Sequence, residues 1–195
     1  MEQAKEHWKR QSDAHAAIGC KYIIHPGEPP MRSTEDVSLV CEIFNEAGRI
    51  AKAAGLIFGF HNHEGEFMRV VPGGTEKLPL RGRRVPESKI IFDALIEGTD
   101  PSLVVFELDV YWAVIGQSDP VAYMRRFPDR IRLLHVKDVA VLGESGFMNF
   151  QKIFETAYTN NIQEFIVEME GYRDGTRFDG VKLCADYLLN ASFVK

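Results

Sequence analysis

Four short stretches of the chain end in side chains that bind cations or carry protons. "GLIFGFHNHEGEF" supplies His61, His63, Glu64 and Glu66, "FELDV" supplies Asp109, "LLHVKD" supplies His135, and "FIVEME" supplies Glu168 and Glu170. Imidazole nitrogen and carboxylate oxygen together suit a divalent metal, and a carboxylate beside such a centre is placed to take or give a proton. One ligand from each of several neighbouring rigid elements would fix a mononuclear geometry without ordering a loop.

Each of these stretches opens with a continuous apolar run, the pattern of a strand buried on both faces of a parallel sheet. A fifth such run, "CKYIIHPG", comes earlier and ends at Pro26 and Gly27. Helical patterns separate the runs: "EQAKEHWKRQSDAHAAIG" with Gly19 as its stop, "ESKIIFDALIEG", "SDPVAYMRRF" with Pro120 in its first turn, "NFQKIFETAYTN" and "FDGVKLCADYLLN". The clearest helix begins at Ser33 and Asp36, a capping-box pair. It carries Val37, Val40, Phe44, Ala47, Ala51 and Ala54 in steps of three and four, with Gly55 just past its end. Strands alternating with helices specify an α/β fold, read as one domain over 1–195 with an irregular surface insertion around 71–87.

In parallel α/β folds ligands bind outside the carboxyl ends of the strands, where the four polar endings fall. Side-chain alternation sorts them further. His61 and His63 share the face of Gly59, Asp109 that of Glu107 and Tyr111, His135 that of Leu133 and Lys137, and Glu168 that of Ile166 and Glu170. Other roles stay open for these residues. Asp109 could cap a helix before "YWAVIG", and His135 could be a satisfied core histidine. Glu168, inside "IVEME", needs a cation or an arginine to meet its charge. "HNH" here is three adjacent residues, unlike the nuclease signature of that name, whose members are spread along the sequence.

Composition narrows the partners. The formal charge of −5 opposes nucleic-acid binding, and "RGRR" at 81–84 is the one basic cluster, read as a solvated loop or a phosphate contact. No apolar run is long enough to span a bilayer, so no membrane partner is expected. The three cysteines, Cys20, Cys41 and Cys184, sit in apolar segments without C-x-x-C spacing and read as buried thiols. The start, "MEQAKEHWKRQ", lacks a secretory apolar centre, so the chain as it stands reads as cytoplasmic, with any export signal lying upstream of Met1.

"FGFHNHEGEF", "FELDVYW", "LLHVKD" and "FIVEME", in this order and spacing, resemble the sugar phosphate isomerase/epimerase family of the xylose-isomerase-like TIM barrels. The resemblance implies a (β/α)₈ barrel, here incomplete, whose five visible strands correspond to strands four to eight. It implies a divalent metal held at strand ends by His61, Asp109, His135 and Glu168, with Mn²⁺ the first choice and Zn²⁺, Mg²⁺ or Co²⁺ as alternatives. Ketose epimerases of this superfamily carry a glutamate where this chain has His61, so Glu66 or Glu64 would have to supply the second carboxylate beside Glu168.

The implied activity is isomerisation or epimerisation of a small sugar or sugar derivative by proton abstraction next to a carbonyl, through an enediolate, with Glu168 and Glu66 as the proton-transfer pair. His63, Glu64, Lys137 and Trp112 are the candidate substrate contacts, with Phe67 a further apolar cover; Lys137 reads equally as an ion-paired strand-end lysine and Trp112 as core. A lyase or hydratase acting on a keto-sugar glycoside would use the same apparatus. A non-catalytic barrel fragment, associating through exposed barrel lining or sheet edges as a homo-oligomer, is the reading of a different class.

Overall fold

The computed structural model describes residues 2–27, 29–82, 85–172 and 174–195. Two compact units divide the chain, residues 1–107 and 108–195. In chain order the strands are β1 (Tyr22–His25), β2 (Ile57–His61), β3 (Arg69–Val70), β4 (Lys89–Ile90), β5 (Val104–Asp109), β6 (Ile131–Val136) and β7 (Glu164–Val167). The helices are α1 (Glu2–Ala17), α2 (Thr34–Ala53), α3 (Ile91–Gly98), α4 (Val110–Ile115), α5 (Pro120–Arg126), α6 (Phe150–Thr159) and α7 (Arg177–Asn190), with a 3₁₀ turn at Glu64–Phe67. The five long strands follow the order β1-β2-β5-β6-β7. β1 pairs with β2, β2 with β5, and β6 with β7, each in parallel.

In the first unit, α1 ends as its glycine predicts. Gly19 sits at φ 78°, and the Cys20 amide returns to the His15 carbonyl at 3.1 Å. α2 opens on the expected capping box: Ser33 Oγ accepts the Asp36 amide at 3.1 Å and Asp36 Oδ2 accepts the Ser33 amide at 3.1 Å. Between these helices and β2 lies an aromatic core. Trp8 meets Phe58 edge-on at 4.9 Å, and Phe44 tilts against Phe60 at 5.1 Å. Phe44, Phe58 and Phe60 are fully buried, each contributing about 1.5–3 kcal/mol of transfer free energy. Gly59 leaves room on the opposite face of β2, since a Cβ there would lie 2.6 Å from Ile24 Cδ1 and 3.2 Å from Val105 Cγ2.

The insertion is more ordered than its glycines and prolines suggest. β3 and β4 bracket it as an antiparallel pair, Arg69 opposite Ile90, and Arg69 also pairs with Leu78. The segment read as helix from Glu87 therefore turns helical only at Ile91. Arg83 and Arg84 of "RGRR" lie outside the described residues.

In the second unit, Asp119 Oδ1 accepts the Val121 amide at 2.9 Å and Pro120 takes the first helical position of α5. Phe154 of α6 stacks on Phe165 of β7 at 5.0 Å, and Asn160 Nδ2 donates to the Met124 carbonyl at 2.6 Å, tying α6 to α5. After β6, the carboxylate of Asp138 gathers the following loop. It accepts the Val139 amide at 2.7 Å, the Gly143 amide at 3.0 Å and the Ser145 hydroxyl, whose oxygen accepts the Phe147 amide at 2.9 Å. Cys41 and Cys184 are buried, Cys20 half-buried, and none is in a disulfide. Among the described residues no helix is long and apolar enough to cross a membrane.

Candidate functional site

In the first unit the candidate residues lie at the end of β2 and just after it. His61 and Glu107 lie opposite one another in the parallel register of β2 and β5, and His61 Nδ1 meets Glu107 Oε1 at 2.9 Å with both side chains buried. A carboxylate on one imidazole nitrogen fixes ring orientation and raises the basicity of the ring, the usual support for a metal-binding histidine. Glu107 carried no role in the sequence reading. It stands two residues before Asp109 on the same strand, but its partner becomes visible only once the β2–β5 register is known.

His63 leads into the 3₁₀ turn, its ring 5.0 Å from that of His61. Its amide donates to Glu66 Oε2 at 2.8 Å, and Lys77 Nζ stands 3.8 Å from Glu66 Oε1. Glu66 is fully buried, whereas Glu64 is exposed and Phe67 is core. Glu66, expected as the second proton-transfer group, thus has one oxygen on the backbone of its own turn and the other facing an ammonium.

The second unit holds the other candidates. Asp109, the last residue of β5, is fully buried and caps α4, its Oδ1 accepting the Trp112 amide at 2.8 Å. The capping role weighed for it is therefore real, and it does not use up the carboxylate, which has a second oxygen. The donor atoms of Asp109 and His135 approach within 4.8 Å, a span one cation can bridge. His135, on β6, is more than a satisfied core histidine: its Nε2 lies 3.3 Å from Glu168 Oε2.

Glu168 follows β7 directly, and its amide still donates to the Val136 carbonyl at 3.2 Å, so the ladder sets its position one residue beyond the strand. The partner expected for it was a metal or an arginine; the structure supplies Lys137, whose Nζ is 2.8 Å from Glu168 Oε2 and 2.6 Å from Glu170 Oε1. The ammonium also lies 5.3 Å from the Trp112 ring centre and 5.9 Å from that of Tyr111. Burial works to lower the Lys137 pKa, but the hydrogen bonds and charges of Glu168 and Glu170 outweigh it and raise the value, so the group stays an ammonium. Trp112 is half-buried and forms one wall of this lysine pocket rather than the deep core.

Comparison with known proteins shows the family. Residues 1–188 match the family model described as xylose isomerase-like TIM barrel. A crystal structure of a sugar phosphate isomerase/epimerase from Parabacteroides distasonis superposes with a TM-score of 0.92 at 43% identity, covering 100% of this chain and 68% of that one. Curated relatives include inosose dehydratases from Halalkalibacterium halodurans, 28% identical over 165 residues, and Salmonella agona, 32% identical over 112 residues. These alignments cover 82% and 57% of this chain, and 46% and 31% of the relatives, so the chain spans less than half the length of the curated proteins it matches. The 3-keto-D-glucoside 4-epimerase of E. coli, at 17% identity and a TM-score of 0.70, shares the fold. The chain belongs to the xylose isomerase-like TIM barrel family, with sugar phosphate isomerases/epimerases among its structural relatives, and its described residues form a five-stranded sheet consistent with an incomplete barrel.

Proposed function

We propose that this chain carries the metal-binding strands of a sugar isomerase/epimerase that abstracts a proton next to a carbonyl. The observation behind this reading is the convergence of Asp109, His135 and Glu168, two carboxylates and an imidazole from three successive strand ends, in a chain of this family. Their oxygen and nitrogen donors fit a divalent cation, Mn²⁺ foremost, and His61, steadied by Glu107, is the fourth ligand of the proposed set. Such a cation, when bound, polarises a substrate carbonyl and makes the adjacent C–H acidic.

Glu168 is the residue assigned to that proton: it sits beside the imidazole of His135 with its side chain 41% exposed, open to a substrate carbon. The electron pair left behind delocalises into the carbonyl, and reprotonation at the neighbouring carbon isomerises while reprotonation from the opposite face epimerises. Glu66, bound to its own turn, is the weaker candidate for the second proton, and His63 and Glu64 are proposed to meet substrate hydroxyls. The named relatives favour a second reading, loss of water from a keto-sugar, which also begins with removal of that proton.

Mn²⁺ titration followed by calorimetry tests the site: one ion per chain is expected, with Asp109→Ala losing it. Incubating small ketoses and keto-cyclitols in D₂O then separates the chemistries. Deuterium at the carbon next to the carbonyl without loss of water supports isomerisation or epimerisation, and the ultraviolet band of an unsaturated carbonyl supports dehydration. A chain that binds no Mn²⁺ overturns the metal reading.

A further inference from the structure

Lysine is among the residues least often found fully buried, because removing an ammonium from water costs several kcal/mol unless charges close by repay it. Lys137 is 1% exposed, and the two carboxylates that repay that cost, Glu168 and Glu170, are 41% and 58% exposed. The burial is asymmetric. The ammonium is the fixed end of both ion pairs, standing over the Trp112 and Tyr111 rings, and the glutamates are the ends that would otherwise swing in water. A half-exposed glutamate loses rotamer freedom when held in one pose, so a pose at this position needs an anchor.

We propose that Lys137 is a positioning residue that holds the Glu168 carboxylate against His135, with Glu170 as a counter-charge that keeps the ammonium matched when the charge of Glu168 is shared with a cation. The geometry for this is direct: Glu168 Oε2 lies 2.8 Å from Lys137 Nζ and 3.3 Å from His135 Nε2, so one oxygen is held from both sides. Lys137 and His135 come from the same stretch of backbone two residues apart, and the β6–β7 register with its extra Glu168-to-Val136 bond brings Glu168 alongside them. Lys137 thereby acts on chemistry through Glu168 and not by touching substrate. This inference rests on the proposed metal site.

The experiment is Mn²⁺ titration, with no substrate, of the wild-type chain and of Lys137→Met, Glu170→Gln and Asp109→Ala, with thermal unfolding measured on each. Loss of an outer partner of a metal ligand weakens binding by about 10–100-fold. Lys137→Met is expected to fall in that range, while Glu170→Gln, which leaves the Lys137–Glu168 bond in place, stays within about threefold of wild type on the same principle. Should Lys137→Met fail to fold because it strands two carboxylates, the Lys137→Met/Glu170→Gln double variant removes one of them and is expected to show the same loss. Wild-type binding with unchanged or tighter binding in the Lys137 variants overturns the positioning role and leaves the site intact. A Glu170→Gln loss equal to that of Lys137→Met also overturns it, because the clamp would then not act through Glu168. No binding by wild type overturns the site and the inference together.

Discussion

β5 and β7 are both short parallel strands with a carboxylate at or just past the carboxyl end, yet their surroundings differ. All six residues of β5 are buried, and Asp109 at its tip is buried with them. In β7, Ile166 and Val167 are 39% and 43% exposed, and Glu168 is partly open to solvent. β5 is level with β2 along four residues, and β7 with β6 along four. The nearby helix continues the contrast, since Phe178 of α7 is 85% exposed and Leu189 82%. A carboxylate at the tip of a covered strand is held by that strand and by the helix it caps. One at the tip of a half-exposed strand needs a separate anchor, and Lys137 is that anchor.

Substitutions can break this contrast at several sizes. Phe106→Ala in the middle of β5 should cost about 3–5 kcal/mol, read as a lowered denaturation midpoint, since a fully buried ring leaves a cavity. Next come the capping boxes of α2 and α7, chemically alike but placed differently. Ser33→Ala, at a buried cap, should cost about 1–2 kcal/mol, and Thr176→Ala, at the exposed start of α7, about 0.5 kcal/mol, both measurable by urea unfolding. Equal losses would mean that the α7 end is as firmly built as the α2 end. Val167→Thr on the half-exposed β7 should change stability by no more than about 0.5 kcal/mol. A loss like that of Phe106→Ala would show this face to be covered in solution.

The smallest effect is confined to the acid side. Burial, with a lesser contribution from the charge of His7, lowers the His25 pKa below 6.5. A histidine with a lowered folded-state value takes its proton first in the unfolded chain, so stability is full above pH 6.5 and declines as pH falls toward the folded value. His25→Phe should flatten that decline, and unchanged slopes in urea unfolding between pH 7 and pH 5 would contradict the assignment.

Much of the scaffold was legible because its signals are local. Ser33 with Asp36, Gly19, Gly55 and Pro120 mark helix ends by their own backbone chemistry, and the apolar runs mark the strands. The elements that escaped are those made by non-local pairing or by too few residues. β3 and β4 are two residues each and join Arg69 to Ile90 and Val70 to Lys89 across the insertion. α4 was foreseen only as one of the roles open to Asp109, because "DVYW" continues an apolar strand pattern and Asp109 serves both elements. At the candidate site, His61, Asp109, His135 and Glu168 could be named from strand-end position and family resemblance. The Glu107–His61 pair and the Lys137 clamp could not, since both depend on which residues of adjacent strands come level.

Asp138 stands next to Lys137 in sequence and does the opposite job. By gathering the amides of residues 139 and 143 and the hydroxyl of Ser145, it closes the loop after β6 onto its own root, and the Leu142 amide adds a tie to Cys184 Sγ of α7 at 3.4 Å. Val141 and Leu142 are buried, so the loop is fastened in its middle as well as at its root. A designer wishing to lengthen it would splice beside the exposed Glu144 and Gly146, where the strand and both ties are left undisturbed.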